Sequence, residues 1–246
     1  MSNGFLLPGE HTEDLGGGLK LIVSQTHTFG TDALLLAAFA APSARSRAAD
    51  LGTGCGIIPF YWLRDSLCDS ITAVDIQSGA YSQLERSVRL NSTEKITPLL
   101  ADLRDIDRYL PHGGFDLVTM NPPYTKEGGG IISSGESDKI ARHGTMCDLD
   151  DVAHSAAYLL KFGGRLCVCI RPERMAEMFA AMSRAKIEPK RLRLVSQRDG
   201  CAPWLCLIEG KYGRRPGLVV ERELHIENSD GNLSDEMKEI IGEYAD

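Results

Sequence analysis

The apolar positions of this chain fall into short runs that switch repeatedly between two periods. Leu19-Lys20-Leu21-Ile22-Val23 alternates as a strand does after the Gly16-Gly17-Gly18 turn. Leu34, Leu35, Ala38 and Phe39 then recur at helical spacing, in a helix that Thr31 or Asp32 can cap and Pro42 stops. Strand patterns follow at Ala48-Ala49-Asp50, Ser70 to Asp75, Thr97 to Leu100 and Phe115 to Met120. Between them lies a helix from Ser78 to Leu90, with Tyr81, Leu84 and Val88 on one stripe and an end near Asn91. Asp148 can cap another helix, with Leu149, Val152, Ala153, Ala156, Leu159 and Leu160 inside and Gly163 closing it. After a strand at Arg165 to Ile170, Met175, Met178, Phe179 and Met182 form a core stripe, and strands at Arg191 to Ser196 and Pro203 to Gly210 end the pattern. Strands alternating with helices predict an α/β fold, a parallel sheet with helices on both faces.

A length of 246 residues suits one such domain with additions. The expected division is an N-terminal strand and helix over 1–42 packing on the core, a domain over 43–220, and an acidic tail over 221–246, read as a frayed appendage or weak helix. Seven cysteines, with no Cys-x-x-Cys pair, fit a reducing cytoplasm, and no metal is expected. No apolar run approaches the ~20 residues of a spanning helix and no export signal is read, so no membrane partner is expected. A net charge of −7 argues against coating nucleic acid by bulk electrostatics. Local contact stays open, because at ~0.1 M salt charges more than ~10 Å apart barely interact. Basic residues gather at Arg171 and Arg174, from Lys186 to Arg198, and from Lys211 to Arg215, where a solvated face is the bland alternative.

The chemistry centres on Asp50-Leu51-Gly52-Thr53-Gly54-Cys55-Gly56, followed by Pro59 where a first helical turn tolerates a missing N–H. Glycines there allow positive φ and let a ligand lie on the main chain. A dinucleotide loop wants G-x-G-x-x-G, and both registers fail, at Ile57 and at Pro59. The pattern resembles motif I of class I S-adenosylmethionine-dependent methyltransferases. That resemblance implies a Rossmann-like, mostly parallel seven-stranded sheet finished by an antiparallel pair, and S-adenosyl-L-methionine as cofactor. It implies that Asp50, Gly52, Thr53, Gly54 and Gly56 line the cofactor's methionyl and ribose part, and that Asp75, with Ile76 beside it, grips the ribose hydroxyls. Asp102 would meet the adenine amino group, or else be a surface carboxylate opening the next turn. Phe29-Gly30-Thr31-Asp32 resembles a segment that folds over the methionine end in adenine-modifying members, against a plain helix cap for Thr31 or Asp32.

The strand from Phe115 runs into Asn121-Pro122-Pro123-Tyr124, where two prolines forbid a continuing ladder or helix. Alone this is a stiff stop. On the strand expected beside the glycine turn it faces the same crevice. An exocyclic or amide nitrogen is a poor nucleophile, and two acceptors, the Asn121 side-chain oxygen and the Pro122 carbonyl, would concentrate its lone pair while Pro123 stiffens the turn. Tyr124 offers a stacking face worth ~1–3 kcal/mol per base. Asn121 thus stands against both cofactor and acceptor. The Gly- and Ser-rich segment 125–142 reads as a mobile loop of the kind that clamps substrates.

Phe-Gly-Thr-Asp, Asp-Leu-Gly-Thr-Gly-Cys-Gly, Asn-Pro-Pro-Tyr, Ala141-Arg142-His143, Arg171-Pro172-Glu173-Arg174 and Glu188-Pro189-Lys190-Arg191, in that order, resemble the bacterial valine-tRNA adenine N6-methyltransferase family. The resemblance implies transfer of a methyl group to adenine N6 in a tRNA substrate, with Arg142, His143, Arg171 and Arg174 as substrate-binding residues. Two rivals stay open: an N5-glutamine protein methyltransferase of the same fold, and a non-catalytic RNA-binding module that keeps the cofactor pocket. The first usually carries a separate N-terminal helical domain, and only about forty residues precede the core here.

Overall fold

The computed structural model describes residues 4–65, 67–122 and 147–242. Pro123, Tyr124, Arg142, His143 and the expected loop 125–142 lie outside the described residues. An antiparallel hairpin of β1 (Glu10–Asp14) and β2 (Lys20–Ser24) leads to α1 (Thr31–Ala40). Then come β3 (Arg47–Leu51), α2 (Ile57–Arg64), β4 (Ser70–Asp75), α3 (Ser78–Leu90), β5 (Ile96–Leu100), a 3-10 segment (Leu103–Arg108) and β6 (Phe115–Met120). After them come α4 (Leu149–Leu159), β7 (Leu160–Ile170), a 3-10 turn (Pro172–Arg174), α5 (Met175–Arg184), β8 (Ile187–Ser196) and β9 (Leu205–Tyr212). The short β10 (Val219–Val220) and β11 (Leu224–His225) and the helix α6 (Asp235–Ile241) follow.

The expected parallel sheet is present in the order β5-β4-β3-β6-β7, and β9 runs antiparallel between β7 and β8. Those seven strands are joined by two more, because β10 and β11 each pair in parallel with β8. Side chains alternate between the faces as the strand period requires. Ala48, Leu117, Cys167, Cys169, Leu205 and Leu207 face α1, α2 and α6, while Ala49, Leu51, Val118, Met120, Leu166 and Val168 face α4 and α5. Cys167 and Cys169, two apart on β7, share one face. Both layers exclude water, and α1 is buried on most of its circumference. Trp62 Nε1 ties α2 to it by donating to Ala37 O at 2.9 Å.

Several boundaries differ from expectation, each for a local reason. Gly30, not Thr31 or Asp32, occupies the N-cap of α1, so those two residues form its first turn. Gly163 does not close α4, which ends at Leu159 and passes directly into β7. Phe115 pairs with Leu160 and Leu117 with Arg165, so the residues between bulge out and Gly163 takes φ +80 there. The buried face of α3 is Ala80, Gln83, Leu84 and Ser87, with Tyr81 and Val88 only half-buried. Gln83 Nε2 donates to Ile22 O at 2.8 Å and Ser87 Oγ accepts from Ile22 N at 3.0 Å, so these polar residues dock the hairpin. β9 begins at Leu205, past Pro203.

The acidic tail includes the short helix α6, and it is not frayed through its described residues. β11 joins the sheet and Met237, 1% exposed, packs in the same apolar layer as α1. Its acids neutralise the basic run on β8: Glu221 pairs with Arg191 at 2.6 Å and Glu236 with Arg193 at 2.6 Å.

Candidate active site

The glycine turn connects β3 to α2. Gly52, Gly54 and Gly56 take φ of +65, +57 and +92, the left-handed region where a Cβ is strained. Gly54 and Gly56 do different things. A Cβ on Gly56 would lie 2.4 Å from Leu84 Cδ1, so this glycine lets α2 begin against α3. A Cβ on Gly54 would meet nothing within 4 Å, so its bare main chain faces open space. Gly54 N–H donates to Asp75 Oδ2 at 2.8 Å, and Gln77 N–H donates to Asp75 Oδ1 at 2.8 Å. Asp75, at the end of β4 and 5% exposed, therefore shapes the turn with one lone pair of each oxygen.

Asp50 lies beneath, 1% exposed. Its Oδ1 accepts from Thr119 Oγ1 at 2.7 Å, whereas its Oδ2 and the hydroxyl of Thr53 are buried close to each other without a well-formed hydrogen bond. Burial drives the Asp50 carboxyl up to about 7 against the lowering effects of Thr119 and Thr53, and the nearby Asp75 charge adds to the rise. Ile76 and Leu100, at adjoining strand ends, remain 42% and 43% exposed, an apolar pair suited to a flat ring. Asp102 caps the 3-10 segment through Arg104 N at 2.9 Å and pairs with the Arg104 guanidinium, which holds its carboxyl below the usual range.

These features fit S-adenosylmethionine. A Cβ-free cradle, an apolar slot and carboxylates around the turn suit a cofactor with an adenine ring, a ribose and two cationic groups, and they would repel a pyrophosphate. A buried carboxyl oxygen without a well-formed hydrogen bond is the kind of group that a nearby ammonium satisfies and holds ionised.

The second half of the site comes from β6. Leu51 pairs with Met120, so Gly52 and Asn121 leave neighbouring strands side by side at one edge. Asn121 Nδ2 donates to Asp32 Oδ2 at 3.1 Å, and Cys169 Sγ donates to Asn121 Oδ1 at 3.1 Å. Asp32 Oδ1 accepts from Ala33 N at 2.9 Å, which anchors the carboxylate to the first turn of α1. Thr31 is exposed at the start of that turn, and Pro122 is buried. Thus α1, β3, β6 and β7 meet around one amide.

The outlying candidates are placed less centrally. Arg171, just past β7, donates to Trp204 O at 3.1 Å, with its guanidinium 5.5 Å from the Trp204 ring. Arg174 makes a two-point pair with Glu177 at 2.9 and 2.7 Å. Cys169 and Trp204 escaped the sequence reading. The signal for Cys169 was its register, because the Met120–Val168 pair sets it opposite Asn121. For Trp204 it was strand direction, since an antiparallel β9 begins at the edge where β6 and β7 end.

The methyltransferase small domain family matches residues 23–185 of the chain. A relative from Tolumonas auensis, named tRNA1(Val) (adenine(37)-N6)-methyltransferase, is 27% identical over 87% of this chain and 88% of its own length. One of the same name from Phocaeicola vulgatus is 29% identical over 74% of this chain and 76% of its own. A solved structure described as a predicted O-methyltransferase from Agrobacterium tumefaciens has a TM-score of 0.70 at 23% identity, covering 86% of this chain and 95% of that one. At that identity the likeness speaks to fold. No helix among the described residues is long and apolar enough to cross a membrane.

Proposed function

The chain belongs to the methyltransferase small domain family, and from that premise we propose that it uses S-adenosyl-L-methionine to methylate the exocyclic N6 amine of an adenine in tRNA. The observation that carries this reading is the adjacency of Gly52 and Asn121, which sets a cofactor cradle beside an amine-binding amide. The names of the relatives support adenine N6 in tRNA over a protein glutamine as acceptor.

When bound, the cofactor supplies an electrophilic sulfonium methyl. The protein's part is to hold the amine. Asn121 Oδ1 and the Pro122 carbonyl accept its two hydrogens and localise its lone pair. Asp32 accepts from Asn121 Nδ2, which polarises the amide toward Oδ1 and fixes which end faces the acceptor. Cys169 touches the same oxygen with a thiol, a weak donor that readily gives way to an amine N–H. In this reading Tyr124 stacks on the base, Asp75, Ile76 and Asp102 hold the nucleoside end of the cofactor, and Arg142, His143, Arg171 and Arg174 contact the RNA chain. A base inside folded RNA must be unpaired or flipped out to reach Asn121. Seven free cysteines suit the cytoplasm as its compartment.

The test is direct. Transfer RNA from cells with and without the protein is digested to nucleosides and analysed by mass spectrometry, and N6-methyladenosine should disappear in its absence. An unchanged nucleoside profile, with label from S-adenosylmethionine entering a release factor instead, would overturn the reading.

A further inference from the structure

The carboxyl edge of the sheet, where the proposed site lies, is rich in negative charge: Asp32, Asp75 and Asp102 stand there, above the buried Asp50 carboxyl. Among the described residues, Arg104, Arg171 and Arg174 of this edge are held within the protein, by Asp102, Trp204 and Glu177. The basic run on β8 is answered by the acidic tail. A chain of net charge −7 that holds a polyanion gains from a further concentration of positive potential beyond the residues at the crevice.

That concentration lies at the opposite, amino edge. β3 starts there with Arg47, the bulge of β7 carries Lys161 and Arg165, and β9 ends through Lys211 into Arg214. Lys161, Arg165 and Lys211 line one pocket of about 460 Å³, together with Phe162. Carboxylates offset part of this charge. Asp116 takes Lys161 at 2.7 Å, Glu209 takes Arg165 at 3.0 Å, and Glu188 stands opposite Lys211 in the strand register. Arg47, which also shares the Asp116 charge, and Arg214 rest on the rings of Phe115 and Phe162, at 5.4 and 4.9 Å. Phe162 is 70% exposed, an aromatic face with a guanidinium across it. Interleaved cations and an exposed ring are the chemistry that binds a ribose-phosphate backbone with an unpaired base beside it.

We propose that the amino edge is a second RNA-binding face, which grips the phosphate backbone of the tRNA body away from the adenine being methylated. The proposal rests on the RNA reading of the active site. The two edges are about one strand apart, ~17–20 Å, a span that a folded RNA can bridge with its loop over the crevice.

Lys211→Glu combined with Arg214→Glu tests it: the Lys161–Asp116 and Arg165–Glu209 pairs stay intact, and the carboxylate that Lys211→Glu sets opposite Glu188 is the reason for the neutral variant below. Binding of an unmodified valine tRNA transcript and of its isolated anticodon stem-loop is measured by filter binding over a salt series, and cofactor binding by calorimetry. The expected result is a loss of about tenfold or more for whole tRNA, with a salt slope shallower by about 2. Stem-loop affinity should change less than about twofold and cofactor affinity not at all. Should the double reversal fail to melt cooperatively, Lys211→Gln with Arg214→Gln reads the same change in slope. Unchanged affinity and slope for whole tRNA would mark the edge as a solvated face and overturn the proposal, as would equal losses for both RNAs. Wild-type protein that binds neither RNA would bring down the active-site reading and this one with it. Wild-type protein that methylates and binds both RNAs alike, with no effect of the variant, would bring down this one alone.

Discussion

Asn121 Nδ2 lies 3.1 Å from Asp32 Oδ2, a contact that joins the first turn of α1 to the first residue beyond β6 across 89 positions of sequence. The amide is thereby oriented by a carboxylate that is itself fixed to Ala33 N. An asparagine free to flip would present its NH2 group to an incoming amine half of the time, and the wrong end repels the hydrogens it must accept. A hydrogen bond to a charged group contributes about 1.5–3 kcal/mol. Asp32→Ala should therefore slow single-turnover methylation by roughly tenfold to hundredfold, and Asp32→Asn, which keeps an acceptor oxygen, should recover part of the rate. Cofactor affinity by calorimetry should hold in both. A parallel loss of affinity would mean that Asp32 touches the cofactor itself.

Gly54 and Gly56 of the turn make separable predictions. Gly54→Val places a side chain in the open cradle, so it should abolish cofactor binding, with a fold that melts only a few degrees lower for about 1–2 kcal/mol of left-handed strain. Gly56→Ala drives a methyl group into Leu84, 2.4 Å away, and should destabilise the protein itself. Calorimetric titration and thermal melts read the two effects apart. Equal damage to the fold from both would remove the cradle from the interpretation.

Buried Asp50 gives the apo protein a specific pH dependence. Its carboxyl is raised from 3.8 to about 7, so between those values the folded protein holds a proton that the unfolded chain has released. Stability must then fall as pH rises across that window and level off above it, at up to about 1.4 kcal/mol per pH unit from this group. Asp50→Asn should abolish that part of the slope in urea melts and be the more stable protein at pH 8. A cationic cofactor favours the ionised carboxylate, so wild-type affinity should be higher at pH 8 than at pH 6. A flat profile in both proteins would show that Asp50 is ionised throughout.

Much of this arrangement was legible in the residues. Ser70 to Asp75, Ser78 to Leu90 and Phe115 to Met120 form the elements their patterns indicate, end for end, because each is bounded by turn chemistry and buries one kind of face. The glycine positions announced their positive φ. Long-range partners were not legible. β1, with the sequence EHTED, shows no apolar alternation, and it is a strand because it pairs with β2 and is fastened to α3. Gln83 and Ser87 read as the polar side of α3, yet they are buried because the backbone of Ile22 comes to meet them. Nothing in its own strand pattern sets Cys169 apart, and only strand register reveals that it touches Asn121.

The N-terminal hairpin gives the last prediction, and it connects stability to catalysis. Arg86 on α3 grips Glu10 of β1 with both guanidinium ends and donates to Phe5 O as well. The side chains of Arg86 and Glu10 are only 12% and 9% exposed, and the pairing holds the Glu10 carboxyl below its usual range. Its contribution is present above the ordinary carboxylate pKa and is lost as pH falls through the lowered value, the opposite sign to Asp50. Glu10→Gln leaves a largely buried guanidinium without its counter-charge, a loss of up to about 3 kcal/mol. The hairpin leads through His27 into Phe29, Gly30 and Asp32, and His27 O is itself held by Gln83. Loosening it should therefore slow methylation although Glu10 lies away from the site. Limited proteolysis should show earlier cleavage between residues 4 and 24 in Glu10→Gln, accompanied by a severalfold fall in single-turnover rate. Early cleavage with an unaltered rate would show that Asp32 is held by α1 alone.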